Sequence, residues 1–298
     1  MKSLAEIVLD LSFPLDKIGA FTVHDTGVVS LSNRPLTSRL VTLENNGIPS
    51  GISPSTCYTT TETYVSDLLR CHDARLSHQP NAARDSMDAE GQMAVIVALR
   101  ALSATLTRRH LRDGPFCMAL TDLNAGNIFV DQSFNISTIL DLEFSCSQPL
   151  EMLYPPIWLS GMVLDDFLDE HPDETKIERS QHLEHAWEDF FCVLEQAESV
   201  RPQRRHIGKV SEIMRETVKL GSHWYFMALH SPRMSYDIFM TLLQPQIDQT
   251  HGKGDGAIDF QRIATPYWGL GARVSASVFA QNHVRYLEEL RARRQQPP

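Results

Sequence analysis

Leu120-Thr121-Asp122-Leu123-Asn124-Ala125-Gly126-Asn127 and, a few residues on, Ile136-Ser137-Thr138-Ile139-Leu140-Asp141-Leu142-Glu143 form the stretch whose reading decides the fold. Ile128-Phe129-Val130 and Ile136 to Leu140 are apolar, rich in β-branched residues, and read as two short strands. Asp131-Gln132-Ser133-Phe134-Asn135 between them reads as a turn, because Asp, Ser and Asn bond their own backbone there. With Val130 opposite Ile136, Asn127 falls opposite Ile139, and Asp141 leaves the partner strand at the same end of the hairpin. Cross-strand and diagonal neighbours lie roughly 5–8 Å apart, within reach of one ion. Asp122 lies in the loop that feeds this end, so an acid, an amide and a second acid are gathered from one short segment.

Two carboxylates and an amide in this arrangement suit phosphoryl transfer. One carboxylate orients or deprotonates a hydroxyl, and the other two oxygens bind magnesium. The plain alternative is a solvated hairpin, since Asp and Asn favour strand ends and turns on their own account. Asp-x-x-x-x-Asn alone is a weak signal. Loop, hairpin and a second acid at the correct end together strengthen it.

The same segment resembles the catalytic core of the aminoglycoside phosphotransferase and choline-kinase-like superfamily, which is similar to protein kinases. The usual pattern there is His-Gly-Asp-x-His-x-x-Asn, then an apolar strand ending in Ile-Asp-x-Glu. A fungal branch is resembled further by Leu31-Ser32-Asn33-Arg34-Pro35-Leu36, Asp67-Leu68-Leu69-Arg70-Cys71-His72-Asp73, Gly114-Pro115-Phe116, Pro149-Leu150-Glu151-Met152, Pro155-Pro156-Ile157-Trp158-Leu159 and Thr265-Pro266-Tyr267-Trp268. The resemblance implies an α+β, mostly helical fold: a protein-kinase-like large (C-terminal) lobe with short β-hairpins around the catalytic loop. It spans residues 1–290, and 291–298 form a polar tail.

By the resemblance, Asp122 matches the catalytic base, and Asn127 and Asp141 the magnesium ligands. Thr121, Asn124 and Glu143 become supporting residues. Trp158, Asp165, Asp166 and Asp169 become candidate substrate contacts, with packing beneath the loop as the alternative for Trp158 and a solvated helix face for the acids. The implied cofactors are Mg2+ and ATP, with a small molecule as substrate. Leu120 stands where the family usually has a bracing His, and Asn124 where a second His is common.

The nucleotide-binding lobe of such an enzyme carries a Gly-rich loop and a strand lysine. The residues before Asp122 hold two lysines, Lys2 and Lys17, neither on an apolar strand, and no Gly-x-Gly-x-x-Gly. Most or all of that lobe is therefore expected to be missing from this sequence.

Composition points to one large domain: 298 residues, 42% hydrophobic, can bury a sizeable core. A net charge of −10 argues against nucleic acid and anionic membrane surfaces as partners. Cys57, Cys71, Cys117, Cys146 and Cys192 are widely spaced and odd in number, which reads as reduced thiols in a cytoplasmic protein. Acids interrupt the first apolar run, so no signal peptide is expected. No apolar stretch is read as approaching the roughly 18 residues of a membrane span. Neither substrate nor oligomeric state is legible.

Along the chain, Ser3 and Glu6 are expected to form a capping box, with Leu4, Ile7, Val8 and Leu11 on one helix face. Phe21 to Val23 and Val28 to Leu31 flank a hairpin turn. Residues 37–59 read as irregular. Helices are expected over 62–75, over 89–107 with a stripe of Met93, Ile96, Val97, Leu99, Leu102 and Leu106, and then over 159–171, 175–199, 210–231, 236–244 and 273–294. Gly252-Lys253-Gly254-Asp255-Gly256 lacks phosphate-loop spacing and reads as a surface loop, and His182 with His185 lacks a third metal ligand.

Two functions compete: a small-molecule kinase using Asp122, Asn127 and Asp141, and a non-catalytic, pseudokinase-type binding protein that keeps the scaffold. Metal-dependent phosphoester hydrolysis on the same ligands is a third, with no other feature to favour it.

Overall fold

The computed structural model describes residues 1–169, 175–201, 209–251 and 257–295. It is α+β and mostly helical, 61% helix against 11% strand. The glycine-rich loop at 252–256 and His171-Pro172-Asp173 lie outside the described residues.

The chain divides into two compact units. The first comprises Met1–Ser38, Ile52–Tyr64 and Leu106–His223 and holds every strand among the described residues. These are β1 (Ala20–Val23), β2 (Val29–Asn33), β3 (Phe116–Leu120), β4 (Ile128–Val130), β5 (Ile136–Ile139) and β6 (Ser145–Pro149), paired antiparallel as β1–β2, β3–β6 and β4–β5. The β3–β6 ladder is the buried centre: Phe116, Cys117, Cys146 and Ser147 are fully enclosed. The segment Leu15–Gly19 bridges to the outer edges of both strands. Leu15 exchanges backbone bonds with Phe116, at 2.8 and 3.2 Å, and Gly19 with Ser147, at 2.7 and 3.3 Å. A Cβ at Gly19 would lie 2.7 Å from the Asn33 carbonyl oxygen and 2.9 Å from the Cys57 sulfur, so only glycine fits there.

The long helix Lys176–Ser199 begins with the capping box Thr175/Glu178, and buries Leu183, Trp187, Phe190, Phe191 and Leu194. The first helix, Lys2–Leu11, corrects the expected cap: it starts after Met1, and the Ser3 hydroxyl instead accepts from the Ile136 N–H at 3.0 Å, tying the helix to β5. Its most buried face is Leu4, Ala5 and Leu9, with Ile7, Val8 and Leu11 half-buried. The continuous helices expected over 159–171 and 210–231 are both broken. Gly161 (φ +79°) ends the short turn Ile157–Ser160, leaving only Asp165–Leu168 helical after it, and Gly221 (φ +68°) separates Val210–Lys219 from Ser222–His230.

The second unit comprises Arg39–Gly51, Val65–Thr105 and Trp224–Pro298, and its regular elements among the described residues are all helices. Residues 39–45 of the helix Ser38–Asn45 lie inside the stretch read as irregular, with Leu40 and Leu43 buried, while Ser38 itself belongs to the first unit. Ser86–Leu106 buries Ala89, Met93 and Ile96 against Leu76, Ala82, Ala83, Ala272 and Ala276, with Trp268 and Phe279 packed beside them. Val97, Leu102 and Leu106 of the expected stripe are only half-buried, because small residues (Ala89, Gly91, Ala94) define the contact face. This helix alone among the described ones is long and apolar enough to cross a membrane, where the sequence reading found none; its buried face is that of a core helix. Trp268 donates to Asp73 at 2.9 Å, and Arg100 pairs with the same carboxylate. The last helix runs Ala272–Gln295, into the expected tail.

Candidate functional site

The β4–β5 hairpin forms as its turn chemistry dictates. Asp131 Oδ1 accepts from the Ser133 and Asn135 backbone N–H groups at 2.8 and 2.9 Å, and these bonds, led by Asn135, hold its carboxyl below the usual range. The register differs by one residue from the expected one. Val130 faces Ile136, but a bulge between Phe129 and Val130 puts Phe129 opposite Thr138 and Ile128 opposite Ile139. The Leu140 N–H therefore bonds the Asn127 carbonyl at 2.9 Å, and Asp141 follows immediately. The bulge brings Asn127 one position nearer Asp141 along the ladder than the even register would.

Asp141 holds a left-handed backbone, φ 56° and ψ 54°. Few residues other than glycine do so, and at a strand end this is a local strain of order 1 kcal/mol. It turns the chain sharply out of β5 into the turn Leu142–Phe144. Asp122 and Asp141 line one shallow, open depression with Thr121, Leu140 and Ser145, and no Lys or Arg lines it. Asp122 is half-buried and Asp141 exposed.

Three interactions brace the loop between β3 and β4. Thr121 closes the β3–β6 ladder: its N–H and hydroxyl both donate to the Phe144 carbonyl, at 3.3 and 2.6 Å. Asn124 accepts from the Gly126 N–H at 2.9 Å and donates to the Asp122 carbonyl at 3.2 Å, capping the turn Ala125–Asn127. The Trp158 indole N–H donates to the Leu123 carbonyl at 3.1 Å. Leu120 is a ladder residue opposite Ser145, and its carbonyl accepts from the Leu123 N–H at 3.3 Å.

Ser38, which sequence reasoning missed, donates its hydroxyl to Asp122 Oδ1 at 3.2 Å. The two residues are 84 positions apart, so no local pattern signals the contact.

The remaining candidates stand apart from the depression. Trp158 is engaged with the loop backbone, and Glu143 is exposed. Asp166 accepts from the Val163 N–H at 2.8 Å, while Asp165 and Asp169 are exposed on the short helix and its end. The His185 ring is bonded to the Gln181 carbonyl at 2.6 Å.

Among the described residues no group of three or more His, Cys, Asp or Glu side chains comes together to hold a metal ion. Asn127, half-buried, is not among the residues lining the depression and is tied to its edge through the bond from the Leu140 N–H to its carbonyl. Comparisons with protein-family models, curated proteins and solved structures gave no match.

Proposed function

We propose that this chain carries the site of a kinase-like phosphotransferase related to the aminoglycoside phosphotransferases, acting on a hydroxyl of a small molecule with ATP as donor. The observation that carries this reading is the meeting of Asp122 and strained Asp141 in one depression, with Asn127 bonded to the residue before Asp141. Asp122 Oδ1 is occupied by Ser38, and among the described residues Oδ2 has no hydrogen-bond donor, so Oδ2 is the atom that receives the acceptor hydroxyl's proton. The hydroxyl oxygen forms the new bond to the γ-phosphorus, the bond to the β,γ-bridging oxygen breaks, and ADP leaves with that electron pair. Asn127 and Asp141 are the residues that would hold Mg2+, which when bound offsets phosphate charge. None of the five cysteines forms a disulfide, which fits a reducing, cytoplasmic setting.

A second reading, a pseudokinase-type binding protein, is favoured by one observation: no Lys or Arg lines the depression, so no side chain there balances the charge of the nucleotide phosphates. γ-32P-ATP with Mg2+ and a panel of small hydroxylated amines separates the two. The kinase reading expects label transfer by the wild type and a loss of about a hundredfold or more in Asp122→Asn. A wild type that binds Mg-ATP but transfers nothing is a binding protein.

A further inference from the structure

We infer that Ser38 is a positioning residue for Asp122, fixing which carboxylate oxygen faces the reacting hydroxyl; this rests on the phosphotransferase reading. A carboxylate has two equivalent oxygens and rotates about its Cβ–Cγ bond. A base in a depression open to water is useful only when one oxygen is aimed. Ser38 supplies the aim. It is half-buried and ends the segment Met1–Ser38 of the unit that also holds Asp122. The bond to Oδ1, at 3.2 Å, is the one side-chain bond to the Asp122 carboxylate among the described residues.

The rest of the loop is held through backbone atoms. Thr121 bonds the Phe144 carbonyl, Asn124 the Asp122 carbonyl, and Trp158 the Leu123 carbonyl. These contacts fix where the Asp122 Cα lies and leave its χ2 free. Only Ser38 acts on the carboxylate itself. The main chain is held by Thr121, Asn124, Trp158 and the Leu120 carbonyl, and the Asp122 side chain by Ser38.

The test compares wild type, Ser38→Ala, Ser38→Thr and Asp122→Asn by two readouts. The first needs no turnover. In protein carrying 13C-labelled aspartate, the Asp122 carboxyl resonance is identified by its loss in Asp122→Asn. It is expected to move in Ser38→Ala and to return in Ser38→Thr, which keeps the hydroxyl. An unmoved resonance overturns the inference whatever the chain catalyses. The second readout is Mg2+-dependent ATP hydrolysis, with water as acceptor. Ser38→Ala is expected to lower kcat about tenfold or more, the worth of one hydrogen bond to a charged group. KM for ATP stays unchanged, and Ser38→Thr recovers most of the loss. In an Asp122→Asn background, Ser38→Ala adds nothing. An unchanged kcat in Ser38→Ala, with a moved resonance, reduces the bond to a structural one and overturns the inference. A wild type that neither binds nor hydrolyses Mg-ATP overturns the phosphotransferase reading, and the inference with it, while the resonance still reports whether the bond exists.

Discussion

The β3–β6 and β4–β5 pairs are both short antiparallel ladders in the same unit, yet they are built in opposite ways. β3–β6 runs through five residue pairs without a bulge, and Phe116, Cys117 and Cys146 to Pro149 are out of solvent. β4–β5 has three pairs and a bulge, and Phe129, Val130 and Phe134 are 53, 51 and 84% exposed. The candidate functional groups belong to neither ladder's interior. Asp122 follows β3 by two residues, Asn127 precedes β4, and Asp141 follows β5. Rigid packing fixes one side of the site, and local turn chemistry shapes the other. The lesson is that the candidate side chains are carried on weakly buried backbone that a buried ladder anchors, with Thr121 as the joint between the two.

Truncating the two ladders should expose this contrast most strongly. Phe116→Ala in β3 is expected to cost about 3–5 kcal/mol, whereas Phe129→Ala in β4 stays within about 1 kcal/mol. Chemical denaturation of both variants measures it, and equal costs would erase the distinction.

Next in size is a pH effect beside the rigid ladder. Glu151, 1% exposed, sits just after β6, accepts from the Arg108 N–H at 2.6 Å, and is pushed up by burial to about 7. A carboxyl raised in the folded state favours folding while it is protonated. Its contribution is fully present below the unfolded value near 4.5 and is lost as pH rises through about 7, on the order of 3 kcal/mol in all. Stability measured from pH 4.5 to 8 should therefore lose part of this slope in Glu151→Gln. His72 opposes the trend at the acid end, since burial lowers its imidazole to about 4, and its contribution is lost as pH falls from 6.5.

Smaller effects sharpen the joint itself. Thr121→Val removes the hydroxyl bond to Phe144 and should cost about 1 kcal/mol, with amide exchange rising over 121–127 and not in β3. Asp141→Gly should raise stability slightly, by roughly 0.5–1 kcal/mol, because glycine relieves the left-handed backbone at the position whose carboxylate the proposed site would use. A destabilised glycine variant would mean that Asp141 makes its own structural contribution and is not held against strain.

The sequence was readable where structure is local. The β4–turn–β5 hairpin follows from Asp131 and its neighbours, and the main long helices follow from their apolar periodicity. The β3–β6 ladder went unread because its strands lie 25 residues apart, and because Ser145-Cys146-Ser147-Gln148-Pro149 lacks β-branched residues. The bulge shifted the pairing of Asn127 by one, since a turn specifies where a hairpin starts and not where it slips. Breaks at Gly161 and Gly221 were hidden inside apolar periodicity. Ser38 could not be linked to Asp122 from sequence at all, because nothing local couples a helix start to a loop so far along the chain.

The most direct test of the site is the melting temperature of the protein with and without saturating Mg-ATP, for wild type and Asp141→Asn. A ligand at a hundred times its Kd adds roughly 2.7 kcal/mol, a rise of about 5–10 °C for a chain this size. The account predicts that rise in the wild type, its dependence on Mg2+, and its loss in Asp141→Asn. No rise, or an equal rise in both proteins, would contradict it.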